Sequence, residues 1–323
     1  MVRPDDLDGL VALAAESSGL MTTMPRDRAG MEERLAEALQ FDETYLFVLE
    51  EEGRIVGMSA MSLDLGRHRP FYNYKITHLT KTSPELNVRV DSRVLHPVND
   101  YVGATELGTL FLHPDFRGDG RGRLLSWSRL MFMAVHRSIF DDIVMAELRG
   151  WTDPEGRSPF WDAIGNRFFT LDLSEADVLS GREYRFIADL LPTYPIYIDL
   201  LPADAQDVIG VPHDGSAPAM ALLGKQGLRY RGYVDIFDAG PCIDTHIDDI
   251  DIVRNAVARP AATSAGDVAT KPVFLANTGL TDFAVGVFSA ATNDDVVTLN
   301  ANELAALGRR NGDPIYVYEG PRR

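Results

Sequence analysis

The chain has 323 residues, 45% of them apolar, with 18 prolines and a mean hydropathy of −0.10, the composition of a folded protein long enough for one large or two smaller cores. Forty-eight acidic residues against 31 basic ones give a formal charge of −17, which repels nucleic acid and anionic lipid, maintains solubility and draws small cations. One cysteine, Cys242, forms no internal disulfide and no thiolate metal cluster, so a buried spectator thiol is expected and no metal is implied. The first residues carry no basic leader, and no run reaches the roughly 18 apolar residues of a membrane helix, so a cytoplasmic location is the expectation.

Helical spacing over residues 5–17 and 28–40 predicts two helices separated by a small-residue loop with Gly19 and Pro25. Residues 44–63 hold two runs of strand formers joined by "EEG", a hairpin, and residues 66–94 read as a long inserted aromatic and polar hairpin. A strand over 104–112, a glycine-rich turn, a helix through residue 140 and a strand over 142–150 make a βαβ unit with parallel strands. Residues 151–212 interrupt with helices of their own. A helix from 217, a stop at Gly227 and a strand follow. Residues 255–272, small and proline-containing, read as a linker or surface loop. Four strands and a short helix ended by Gly308 then make a small, mostly β appendage. The expected organisation is one α/β unit over 1–252 with an insertion around 151–212, and a β-rich region over 253–323.

The chemistry-bearing stretch is "FRGDGRGRLL", residues 116–125, with Gly118, Gly120 and Gly122 among Arg117, Arg121 and Arg123. Between a strand and a helix this pattern suits an anion: glycines admit close backbone approach, and the first helical turn presents free N–H groups and the positive end of its dipole. The two-residue spacing departs from the Gly-x-Gly-x-x-Gly of a dinucleotide fold.

This segment resembles the acyl-CoA pyrophosphate loop of the GNAT N-acyltransferase superfamily, and residues 219–228, "AMALLGKQGL", match that superfamily's later motif. Leu223 stands where many members place a thiolate-protonating tyrosine. Across nearly the whole chain, segments such as "ELGTLFLHPDFRGDGRGRLLSWSRLMFMA", "SPFWDAIGNRFF", "DVIGVPHDGSAPAMALL" and "RYRGYVDIFDAGP" resemble the arginine N-succinyltransferase family. That resemblance implies a GNAT-type mixed central sheet flanked by helices, with a C-terminal β appendage. It also implies transfer of succinyl from succinyl-CoA to the α-amine of L-arginine, with succinyl-CoA as co-substrate and no permanently bound cofactor. The family's proton donor falls on His213, and its acyl-CoA contact on Leu110. Ornithine or another amine as acceptor, another acyl-CoA, or a non-catalytic acyl-CoA-binding subunit remain open, as do homo- and hetero-oligomers.

An imidazole exchanges protons near neutrality as leucine cannot, so His213 suits the role that Leu223 leaves empty. The expected cradle is the backbone of residues 117–122, with charge added by Arg121 and Arg123, and the oxyanion is expected at a backbone N–H of Leu110, Phe111 or Leu112. Glu106, Glu147 or water takes the amine's proton, with Glu106 named first. Asp235, Asp238 and Glu147 are candidates for the guanidinium, and Phe71, Tyr72, Asn73 and Tyr74 for the cleft wall. Arg149, Arg89 and Lys75 are candidates for the succinyl carboxylate. Cys242 has no histidine neighbour in sequence, which speaks against a cysteine nucleophile.

Overall fold

The structure is a computed structural model that describes residues 1–17, 25, 27–180, 185–263 and 270–320. Helix α1 (Leu7–Ala15) and helix α2 (Arg28–Ala38) lie where helical spacing put them, and Asp27 caps α2 by accepting from the Gly30 amide. Most of the loop between them falls outside the described residues. Strands β1 (Thr44–Glu51) and β2 (Arg54–Ser62) form the expected hairpin, turned by Glu52 and Gly53, both at positive φ. Strands β3 (Asn73–Ser83) and β4 (Val88–Val98) pair along their whole length.

β5 (Thr105–Leu112), helix α3 (Arg121–Val135) and β6 (Ile143–Glu147) give the expected parallel βαβ unit. In the 151–212 insertion, short helices such as Leu173–Ser180 and Arg185–Leu190 precede β7 (Ile196–Tyr197). Helix α4 (Ala217–Gly224) leads into β8 (Arg229–Asp235) and β9 (Pro241–His246). The sheet order is β1-β2-β5-β6-β9-β8-β3-β4-β7, a mixed sheet flanked by helices. The expected long hairpin over 66–94 is present as β3–β4, and its base pairs with β8 within the sheet.

Alternation sorts the sheet's faces. Met58 and Ala60 of β2 pack under α1 and α2, whereas Met61 and Leu107 pack against α3. The 255–272 linker expectation fails in part. Residues 257–263 form β10 (Val257–Thr263), with Arg259 and Ala261 buried, while residues 264–269 lie outside the described residues. Alanine and proline at strand positions hid the period-two pattern. With β11 (Lys271–Asn277), β12 (Val285–Thr292), β13 (Val297–Leu299) and β14 (Pro314–Tyr318) it closes a small barrel ordered β10-β13-β12-β11-β14.

β11 is buried on both sides. Val273 and Leu275 fill the barrel, while Phe274 and Ala276 join the core around α3. Phe132 on α3 is the hinge of that second core, with ring centroids 5.0 Å from Tyr45, 5.5 Å from Phe47 and 4.9 Å from Phe283. Phe132→Ala is expected to cost roughly 3–5 kcal/mol, read as a lower denaturation midpoint in urea. Among the described residues, no helix is long and apolar enough to cross a membrane.

Candidate active site

β5 parts from β6 almost at once. Their ladder holds Thr105↔Val144 and Glu106↔Met145, after which β6 continues on β9 alone. Against β2 the register shifts between Met58↔Phe111 and Ala60↔Gly108, and Thr109, at φ 48°, is the bulged residue. Residues 110–112 thus run past an open edge. The side chains of Leu110, Phe111 and Leu112 pack into apolar clusters, so what they offer the cleft is backbone.

The glycine loop begins where this edge ends. Gly118, Asp119 and Gly120 follow one another at positive φ (107°, 48° and 81°), which turns successive amides inward before α3 starts at Arg121. A Cβ at Gly118 would meet only open space, and one at Gly122 would lie 3.8 Å from Leu112. Arg117 donates through Nε to the Leu112 carbonyl at 3.2 Å. Arg121 does not add free charge as expected. Its guanidinium grips Glu51 through two bonds of 2.6 and 2.7 Å and also meets Asp119 at 3.3 Å, leaving its backbone to the cradle. Arg123 lies over the Trp127 ring at 5.5 Å.

His213 stands beyond the end of β6. Gly150 bridges to Pro212, and the His213 amide donates to the Arg149 carbonyl at 2.8 Å. The Gly215 amide donates to His213 Nδ1 at 3.0 Å, so a neutral ring carries its proton on Nε2. The ring is half-buried. Leu223, the penultimate residue of α4, is core and 2% exposed.

Between β6, β9, β8 and β3 lies a polar cluster that, among the described residues, has no cation as a hydrogen-bond partner. Asn73 Nδ2 donates to Glu147 Oε1 at 3.0 Å and to Cys242 Sγ at 3.3 Å, while Asn73 Oδ1 is buried with no partner. Asp235 pairs with Asn73 in register and neighbours Glu147. Burial, with repulsion from Glu106 and Asp238, pushes the Glu147 carboxyl up to about 8. Burial and then Glu147 raise Asp235 well above the usual carboxylate range. Asp238 accepts from the Gly150 and Gly240 amides at 2.7 and 2.8 Å, which makes it the clasp of the β8–β9 turn. Cys242 is fully buried and its thiol is pushed up by burial and by Glu147, so a thiolate is disfavoured there. Glu106, half-buried on the face that carries Met145 and Glu147, is raised by burial and lowered by Arg34.

The sequence model of the family described as Arginine N-succinyltransferase beta subunit matches residues 1–252. The arginine N-succinyltransferase of Escherichia coli K12 is 39% identical over 330 aligned positions, covering 98% of this chain and 96% of the relative. The solved structure of arginine/ornithine succinyltransferase subunit AI from Pseudomonas aeruginosa superimposes with a TM-score of 0.87 at 29% identity, covering 98% and 96% of the two chains.

The chain belongs to the arginine N-succinyltransferase family.

On this arginine N-succinyltransferase fold the remaining nominations separate. Tyr74 is core, 1% exposed and edge-on to Phe160, so it does not line the cleft; Phe71 packs against the Met145 and Cys242 cluster. Lys75 donates to the Arg231 carbonyl at 2.7 Å and lies over Tyr233 at 3.6 Å. Arg89 is exposed on β4 and paired with Asp91. Burial raises the Asp238 carboxyl above its ordinary range, and the charge of Arg149 offsets part of that rise.

Two cations of this arginine N-succinyltransferase fold escaped the sequence reading. Arg34 donates to Thr109 Oγ1 at 3.0 Å, and Arg129, 1% exposed, donates to the Gly108 carbonyl at 3.1 Å from the α3 side. Each sits in the apolar stripe of its helix, Arg34 between Met31 and Leu35 and Arg129 between Leu125 and Phe132. A charged residue inside a buried stripe is the signal that identifies them.

Proposed function

We propose that this chain transfers the succinyl group of succinyl-CoA to the α-amine of L-arginine by direct attack within a ternary complex. The observation that carries the reading is the parting of β5 from β6 at Glu106, which opens backbone beside a cluster of high-pKa carboxylates. The pyrophosphate of succinyl-CoA lies on the backbone of residues 117–122, and the thioester carbonyl points at the free edge of residues 110–112. Glu106, kept above its ordinary range by burial, takes a proton from the amine. The oxyanion meets a backbone N–H of that edge, and the departing thiolate is protonated by the imidazolium form of His213, which is left as the neutral imidazole. Glu147 and Asp235 receive the guanidinium, a cation that suits the protein's acidity. Succinyl-CoA is a co-substrate, and no permanently bound cofactor is part of the scheme.

The arginine/ornithine name of the Pseudomonas aeruginosa relative supports ornithine as a second acceptor. The words "beta subunit" and "subunit AI" among the relatives' names support assembly with a further subunit, of this chain or another. A cytoplasmic site of action and a division into 1–252 and 253–323 complete the proposal.

The test is thiol release from succinyl-CoA and acetyl-CoA, each with arginine, ornithine and lysine. Arginine-dependent release from succinyl-CoA is expected; absence of release in folded protein that binds CoA overturns the reading. For the cradle, Gly120→Val is expected to weaken CoA binding about 10-fold or more, because a branched residue at φ 81° strains the loop and blocks backbone approach. Isothermal calorimetry with CoA measures it, and unaltered affinity in folded protein removes the loop from the site.

A further inference from the structure

The proposed reaction assigns no task to Arg34. Arg34 projects from the buried face of α2 to the bulge of β5, where Nη2 bonds Thr109 Oγ1 at 3.0 Å while Nε is buried with no hydrogen-bond partner. Among the described residues it forms no ion pair. Glu106 and Glu37 act on it only at longer range, and burial lowers its pKa. Arginine nonetheless stays protonated in proteins, so a positive charge is held here without a contacting counter-ion, an unfavourable arrangement until an anion arrives.

Its position defines the anion. Thr109 is the bulged residue beside the backbone that faces the thioester carbonyl, and a succinyl group carries its second carboxylate two methylenes beyond that carbonyl. The neighbouring cations have other partners: Arg121 is held by Glu51, Arg129 caps the Gly108 carbonyl from the opposite face of the sheet, and Lys75 bonds the Arg231 carbonyl. The guanidinium fork of Arg34 suits a planar carboxylate. We infer that Arg34 binds the distal carboxylate of the acyl group and selects a dicarboxylic acyl-CoA over a monocarboxylic one. The inference rests on the acyl-transfer reading for the identity of the acyl chain. It also arranges the cleft by charge, with a cation at the acyl end and Glu147 with Asp235 at the acceptor end.

The test compares equilibrium binding of succinyl-CoA and butyryl-CoA, which replaces the carboxylate by a methyl, to the wild type, Arg34→Gln and Arg34→Lys, without amine. Thermal melts check that each variant is folded. The wild type is expected to prefer succinyl-CoA. Arg34→Gln is expected to lose about 100-fold in succinyl-CoA affinity, with butyryl-CoA affinity within about 3-fold, and Arg34→Lys to fall between because a point charge replaces the fork. Equal losses on both thioesters, or a preference that survives in Arg34→Gln, overturn the inference. A wild type that does not distinguish the two overturns it without any variant. Arg34-dependent preference with no amine-dependent thiol release would instead sink the acyl-transfer reading and leave the carboxylate site standing.

Discussion

Alanine at position 213 is expected to lower kcat about 100- to 1,000-fold while leaving CoA affinity nearly unchanged. The backbone of His213 keeps its bonds to the Arg149 carbonyl and the Ser216 and Ala217 amides whatever the side chain, so the variant retains its local fold. What disappears is the imidazole that, in the proposed reaction, protonates the leaving thiolate. A thiolate is a better leaving group than an alkoxide, which places the effect at the lower part of the range for lost general acids. Saturating kinetics with both substrates, alongside calorimetry with CoA, separate the two effects. Unchanged turnover would remove His213 from the chemistry.

Glu147→Gln is expected to weaken arginine binding about 30-fold or more and to abolish a proton linkage. The Glu147 carboxyl is held at about 8 against an ordinary 4.5, so the free protein binds more protons there than the unfolded chain between those values. Its stabilising contribution is therefore complete below about pH 4.5 and is lost as the pH rises through about 8. The free wild type melts at progressively lower temperature across that window, and Glu147→Gln shows a shallower decline. A docked guanidinium draws the Glu147 and Asp235 carboxyls back down, so arginine binding near neutrality releases protons. Calorimetry in two buffers of different ionisation enthalpy counts them. The same release in Glu147→Gln would place the linkage elsewhere.

The β5, glycine loop and α3 succession was legible because its signals are local: a strand pattern, glycines at alternate positions and a helical stripe. Local reading failed where partners come from afar. Nothing near Arg121 shows that Glu51, seventy residues earlier, takes its charge. The meeting of Asn73, Glu147, Asp235 and Cys242 depends on a sheet order that sets β9 and β8 between β6 and β3. His213 came from likeness to a family, since a lone histidine in a Pro-His-Asp-Gly turn has no distinguishing local pattern. β10 was missed because alanine and proline weaken a strand's signature, and the barrel that pairs it with β13 and β14 is invisible within the segment itself.

The double-sided burial of β11 also bears on how the chain is made. Phe274, Phe283 and Tyr318 close the apolar cluster built on Phe47, Phe132 and Trp127, with Phe47 and Phe283 edge to face at 6.0 Å and Trp127 and Tyr318 at 6.2 Å. A nascent polypeptide released from the ribosome only as far as residue 252 would carry the glycine loop and the carboxylate cluster, yet leave those three rings wet. Synthesis of residues 253–320 thus completes the core beneath a site whose own residues were translated earlier.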